Sequence, residues 1–323
     1  MPNPEPSSSG FHLVRRSALL GELALVAGVA IAALLFQSKL PSRLPTDEQY
    51  RAMAAALASE ARPGDALLLY PWWTERARLF APPSVSVVGY LGSDRDPLTS
   101  FPRIWVLAQP NLPRSDLSAF QRDFHPGRSR LGERRVFGNL ELTLYRNDLY
   151  RPVLFSAVSA LASARVYLEA PGSARVECPY DGSAHRCPGS EHLRVAAEWH
   201  EVMFQPRYCL WMRPPGGTRR LVAEFPDLPI GDRLVLQAGI IWEYSTRTDP
   251  SLTTTRVAVE DVSGGELLRV SIPRGVEGEV RAERSGSSLY STRGAKLWIQ
   301  SDNPAMRDTC VELTSDRAPG GTG

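Results

Sequence analysis

Hydrophobic positions along the chain fall into three regimes. From Ala18 to Phe36 they are almost continuous, 19 residues with one charge, Glu22, and no proline. A helix of that length spans roughly 28 Å against a hydrocarbon core of about 30 Å, so one transmembrane helix is expected over residues 17–37. A cleaved leader would need a small-x-small site in a polar boundary. The residues after the run, Gln37-Ser38-Lys39-Leu40-Pro41, lack one, and Ala30-Ile31-Ala32 lies inside the apolar core, which favours an uncleaved signal anchor. Arg15 and Arg16 precede the span on a short tail, residues 1–16. Although Lys39 and Arg43 follow it, a long downstream domain translocates largely regardless of charge. The expected topology is therefore single-pass in the inner membrane, with a cytoplasmic tail and extracytoplasmic (periplasmic) C-terminal domains. Ser17-Ala18-Leu19 continues the Arg15-Arg16 pair poorly as a twin-arginine signal.

The second regime, residues 46–147, alternates helical and strand patterns. Thr46 or Asp47 can cap a helix through Tyr50, Met53 and Leu57 to Ala61, which Pro63-Gly64-Asp65 ends with a turn. Ala66–Tyr70 forms a short apolar strand, Thr74–Phe80 a helix, and Ser84–Tyr90, Arg103–Ala108 and Leu140–Tyr145 further strands; Ser115 caps a helix through Leu117, Phe120 and Phe124. Alternating strand and helix predict a small α/β (Rossmann-like) domain with partly parallel pairing. In the third regime, residues 151–316, short segments alternate apolar and polar. The clearest is Leu193–His200; weaker ones are Arg220–Phe225, Arg233–Ile241, Thr255–Glu260, Leu267–Ile272, Glu279–Glu283, Lys296–Gln300 and Cys310–Leu313. Turn residues between them predict an antiparallel, jelly-roll-like β-sandwich. The fold class is thus α+β and multidomain. Both the Pro/Ser-rich start before Phe11 and residues 317–323 are expected to be disordered.

Composition narrows the classes. Hydrophobic residues make up 43% and charged residues 22%, as in an ordinary globular protein, and a net charge of +2 gives no case for nucleic acid. Lys39 and Lys296 are the only lysines, a bias shared with the many Ala, Gly and Pro and typical of GC-rich bacterial coding. All four cysteines, Cys178, Cys187, Cys209 and Cys310, lie in the third regime, and an even number in an exported domain predicts disulfides. Of the three pairings, Cys178–Cys187 with Cys209–Cys310 is favoured: the first closes a polar loop, the second ties an early strand to the last. A zinc site on Cys178, Cys187 and His185 or His192 is disfavoured by the eight-residue gap between the cysteines.

The succession Ala61–Pro71, the tryptophans and arginines after it, Pro102-Arg103-Ile104-Trp105-Val106 and Phe137–Leu142 carry a resemblance. Residues 46–147 resemble the external soluble region that follows the last membrane helix of polyprenyl-phosphate-sugar (PMT-like) mannosyltransferases. In that family the catalytic acids sit in loops between many membrane helices, whereas this chain has one. The resemblance implies an accessory domain without its active site, working with glycan or lipid-linked sugar.

Candidate chemistry is sparse. Asp94-Arg95-Asp96 has the DxD form that can hold a divalent cation against a diphosphate, but it sits in an ordinary polar loop. No nucleophile elbow, phosphate loop or zinc-protease motif occurs, no cofactor is implied, and the five histidines do not cluster. Trp72 and Trp73, with Glu75, Arg76 and Arg78 nearby, are the candidate ligand-binding group, since an indole face beside charged groups suits a sugar ring. The competing reading places both indoles at the membrane interface. Trp199, Trp211, Trp242 and Trp298 are expected in the sandwich core. Ala24, Gly28 and Ala32 form a small-residue stripe suited to a homodimer of anchor helices. The sequence thus predicts a membrane-anchored, non-catalytic envelope protein that binds glycan or a partner of sugar-transfer machinery. The rivals are a transferase using Asp94 and Asp96, and a purely structural interaction protein.

Overall fold

The structure, a computed structural model, describes residues 9–93, 97–112, 116–286 and 293–318. The chain forms two compact units, the first ending at Asn147 and the second starting at Asp148. The first unit begins with α1 (Ser9–Arg43), a single helix of 35 residues. It contains the expected span and overruns it at both ends. No side chain from Gly21 to Lys39 is buried, Ala24, Gly28 and Ala32 included, so the apolar surface of this stretch has no protein to pack against.

Beyond it, α2 (Asp47–Glu60) starts where the sequence places it. Thr46 Oγ1 accepts from Gln49 N, and Gln49 Oε1 accepts from Thr46 N, each at 3.3 Å. This reciprocal cap satisfies two donors that a helix start leaves open. There follow β1 (Ala66–Tyr70), β2 (Ser86–Gly89), β3 (Arg103–Ala108), α3 (Leu117–Phe124), β4 (Arg128–Phe137) and β5 (Leu140–Asn147). They make one sheet of order β2-β1-β3-β5-β4, parallel across β2, β1 and β3 and antiparallel across β3, β5 and β4. Strand side chains alternate between the faces. Leu67, Leu69, Trp105 and Leu107 pack under Tyr50, Met53 and Leu57 of α2, while Leu68, Ile104 and Val106 pack with Phe120 and Phe124 of α3.

Two expectations are corrected here, and one strand is added. Thr74–Phe80 holds only a 3-10 turn, Glu75–Leu79. Strand β4 has no counterpart in the sequence reading, because an edge strand with mostly exposed side chains carries no apolar alternation. Ser115 lies outside the described residues, and the side chain of Asp116 caps α3 by accepting from Ala119 N at 2.9 Å. At the base of the sheet Asp65, 1% exposed, accepts from Arg62 N, Arg103 Nε, Arg103 Nη2 and Trp105 Nε1 at 2.5–3.0 Å. The turn predicted at Pro63-Gly64-Asp65 is thereby fastened to β3.

The second unit contains β6 (Val153–Ser156), β7 (Arg165–Glu169), β8 (Val176–Glu177), β9 (Ala184–Arg186), β10 (Arg194–Val202), β11 (Gln205–Met212), β12 (Arg220–Pro229) and β13 (Arg233–Ile240). A short helix, α4 (Trp242–Ser245), separates these from β14 (Thr255–Glu260), β15 (Glu266–Ile272), β16 (Glu279–Ser285), β17 (Arg293–Gln300) and β18 (Thr309–Asp316). One sheet runs β16-β13-β18-β11-β10-β9, with β6 also on β18, and the other runs β15-β14-β17-β12-β7-β8. Leu234, Leu236, Val311 and Leu313 of the first share one core with Leu221, Ala223, Val257 and Leu297 of the second, so the two antiparallel sheets form a sandwich. Both disulfides have the favoured pairing: Cys178–Cys187 across the polar loop, and Cys209–Cys310 between adjacent β11 and β18.

The C-terminal expectation is corrected in part. Arg317 N donates to Pro152 O at 3.1 Å and Ala318 N to Asp232 Oδ2 at 2.7 Å, so these two residues are tied to the sandwich.

Candidate functional site

The strand β1 ends in a turn that carries Trp72 and Trp73, whose rings meet edge to face with centroids 5.6 Å apart. Trp73 is 45% exposed and Trp72 half-buried. Trp73 forms one wall of a cleft of about 480 Å³, opposite the start of α2, with Arg76, Asp47, Tyr50 and Gln109 among its lining and Leu44 at its edge. Arg76 Nε and Nη2 both donate to Asp47 Oδ1, at 3.0 and 2.6 Å. This pairing raises the Arg76 guanidinium above its usual value and keeps a fixed charge pair at the mouth. Deeper in, Gln109 Nε2 donates to Tyr50 Oη at 3.1 Å, and Tyr50 stacks on Phe80 at 5.2 Å. Burial pushes the Tyr50 phenol up, so it stays protonated and can donate.

The structure therefore joins two of the four predicted residues and separates the others. Trp73 and Arg76 share the cleft; Trp72 and Glu75 do not line it. Glu75 instead pairs with Arg78. Asp47, Tyr50 and Gln109 were not singled out from the sequence, because 62 positions separate Asp47 from Gln109 and only the sheet brings them together. A usable signal was the acidic start of α2, which calls for a cation such as Arg76.

A second aromatic surface corrects an expectation outright. Trp199 is 63% exposed, not core, and Tyr208 beside it is 48% exposed, with ring centroids 5.4 Å apart. These residues face each other on β10 and β11, on the side of Val195 and Leu210, but the core ends before them. Trp211 and Trp298 are buried, but on the sheet faces turned away from the inter-sheet core, in small clusters with Cys209 and Cys310 and with Tyr167 and Val222, whereas Trp242 is half-buried and lies against Phe204 at 3.9 Å.

The zinc alternative is overturned. Cys178 and Cys187 are joined to each other, and the two ring nitrogens of buried His185 lie 3.0 Å from Cys178 O and Leu161 O. No group of three or more metal-ligating side chains occurs among the described residues. Asp94 and Asp96 lie outside the described residues. His200, half-buried, has Nε2 3.2 Å from Glu198 Oε2.

No protein-family model matches the chain, and no curated protein does. Among solved structures it is similar to the xylan-binding module CBM15, with a TM-score of 0.29 and 8% identity over 49% of this chain and 94% of that one. It is also similar to xylanase 10C from Cellvibrio japonicus in complex with xylopentaose, with a TM-score of 0.27 and 8% identity over 48% of this chain and 27% of that one. A third likeness, to xylanase 10B of Clostridium thermocellum complexed with xylohexaose, has a TM-score of 0.23 and 12% identity over 36% of this chain and 22% of that one. At TM-scores this low the likenesses define neither the fold nor the ligand of this chain.

Proposed function

We propose that this is a single-pass envelope protein, anchored by α1 in the inner membrane, that binds a glycan in the Trp73 cleft on the extracytoplasmic side. One observation carries the reading: a half-exposed indole face stands beside a fixed guanidinium–carboxylate pair, a phenol and an amide in a cleft of about 480 Å³. An aromatic face buries the apolar side of a sugar ring while directional polar groups hold its hydroxyls. The two disulfides support an oxidising compartment, and the exposed apolar stretch of α1 supports an anchor.

Leu44 borders the cleft five residues after Lys39, the end of the apolar stretch, about 8 Å of helix rise. That proximity, with the resemblance of residues 46–147 to the external region of PMT-like mannosyltransferases, favours a lipid-linked sugar. On this reading the first unit is a Rossmann-like layer and the second a jelly-roll-like sandwich, both non-catalytic.

The test is a glycan and lipid-linked-sugar binding screen on the full chain in neutral detergent. Trp73→Ala should weaken the bound glycan about tenfold or more, the effect of taking the indole from under a sugar ring, while Trp199→Ala leaves it unchanged. The reverse pattern would move the site to the sandwich, and a chain that binds no glycan would refute the proposal.

A further inference from the structure

The opposite face of the same sheet carries a second concavity, of about 590 Å³, beside α3. Its floor is the α3-side face of β3 and β5, formed by Val106, Ala108, Thr143 and Tyr145. Its rim is basic: Arg128, Arg130 and Arg134 come from β4, and His125 from the end of α3. The bulge in β4 between Leu131 and Arg135, with Gly132 at φ +77°, changes the strand's register between these arginines.

Arg128 is the anomaly. It is 8% exposed and has no ion pair among the described residues. Its Nη1 donates to Phe124 O at 2.5 Å and lies 3.4 Å from Ser93 Oγ, and its guanidinium sits 4.7 Å above the Phe124 ring. Nε, buried, has no acceptor among the described residues. The carboxylate of Asp123 accepts from the Tyr90 hydroxyl and from Ser93 N. Asp123 attracts Arg128 electrostatically without contacting it, so the buried guanidinium keeps an unpartnered donor, which is costly. The other buried arginine, Arg307, likewise has no ion pair among the described residues, but its Nε and Nη2 donate to Thr255 Oγ1 and Ile272 O, so the unpartnered Nε is what sets Arg128 apart. Charge on the rim is in excess by one, three arginines against Glu133 and Glu141, and Glu141 is already held by Arg134 at 3.0 Å.

We infer that this groove binds the oxyanion of a sugar ligand, a phosphate monoester or a carboxylate. Arg128 and Arg130 would hold the anion, and the Thr143–Tyr145 floor would lie under the ring. The two acids on the rim disfavour a more highly charged ligand. This site stands apart from the Trp73 cleft, on the other face of the sheet, and would take a charged group that the cleft does not require.

Titration calorimetry on the full chain in neutral detergent tests it, with inorganic phosphate, glucose 1-phosphate, glucuronate and uncharged glucose as probes. The anionic probes should bind in a salt-sensitive way, and the stronger of the phosphate and carboxylate arms identifies the source of the charge. Arg128→Gln should weaken binding about tenfold or more, the loss expected for charge-assisted hydrogen bonds. Arg130→Gln, at an exposed position whose Nε donates to Gly132 O at 2.9 Å, should weaken it severalfold, and Trp73→Ala should not. Anions that bind no better than glucose, or an Arg130→Gln protein that binds them as the parent does, would overturn the inference.

Discussion

Buried ionisable groups set the strongest expectations for single residues. Asp65 gathers four donors around one inaccessible carboxylate, so removing it strands the Arg103 guanidinium as well as the Trp105 N–H. Asp65→Ala should destabilise the first unit by about 3 kcal/mol or more, the usual result of breaking one side of a buried pair; chemical denaturation followed by tryptophan fluorescence measures it. Glu312 on β18 carries the opposite sign. Burial, reinforced by the Glu279 carboxylate and partly offset by Arg207, pushes its carboxyl up to about 7. The folded chain then holds a proton that the unfolded chain has released, so stability falls as pH rises from the ordinary glutamate range to about 7. Glu312→Gln should flatten that slope and leave the protein more stable than the parent at about pH 8. Parallel denaturation curves for both proteins, with the parent failing to lose stability between about pH 5 and about pH 8, would refute the assignment.

At the scale of elements, one side chain couples two of them. Gln49 closes the α2 cap and also accepts from Asn139 N at 3.3 Å, in the turn that joins β4 to β5. Gly138 in that turn has φ +61°, and a Cβ there would stand 2.0 Å from the Gln49 amide. Gly138→Ala should therefore cost about 1–2 kcal/mol from backbone strain and the displaced cap together, and less in a Gln49→Ala background. A double-mutant cycle in which the two changes simply add would show that the two residues do not interact. The same region shows what the pattern could reveal. Helix α2 and the strands Ala66–Tyr70, Arg103–Ala108 and Thr255–Glu260 were legible because burial wrote apolar residues into most inward positions. Strand β4 was not, since it lies at the sheet edge, pairs with β5 alone and leaves most of its side chains exposed. Trp199 misled for a related reason: its alternation within β10 is genuine, yet the strand continues past the end of the core. Of the cleft, Trp73 and Arg76 were visible as chemistry, but Gln109 meets Asp47 and Tyr50 only when α2 packs on the sheet.

For the whole molecule, helix α1 and the disulfides bear on different properties. From Gly21 to Lys39, α1 exposes its apolar side chains all round and adds nothing to the core, so under the proposed anchoring the full chain should stay in the membrane fraction after carbonate extraction. The disulfides govern the sandwich, and loop length ranks them. Cys178 and Cys187 are 9 positions apart, Cys209 and Cys310 101. In the chain-entropy account these loops correspond to roughly 2.6 and 4.7 kcal/mol of restriction on the unfolded chain. Replacing Cys209 and Cys310 by alanine should therefore cost more than replacing Cys178 and Cys187, and heat or denaturant should melt the sandwich of the first variant earlier. Both pairs are buried, so each replacement also removes some packing of similar size, and the difference between variants isolates the effect of loop length. Equal losses, or a larger loss at Cys178–Cys187, would mean that the long link does not constrain the unfolded chain, and that β11 and β18 are held together by their ladder and core packing alone.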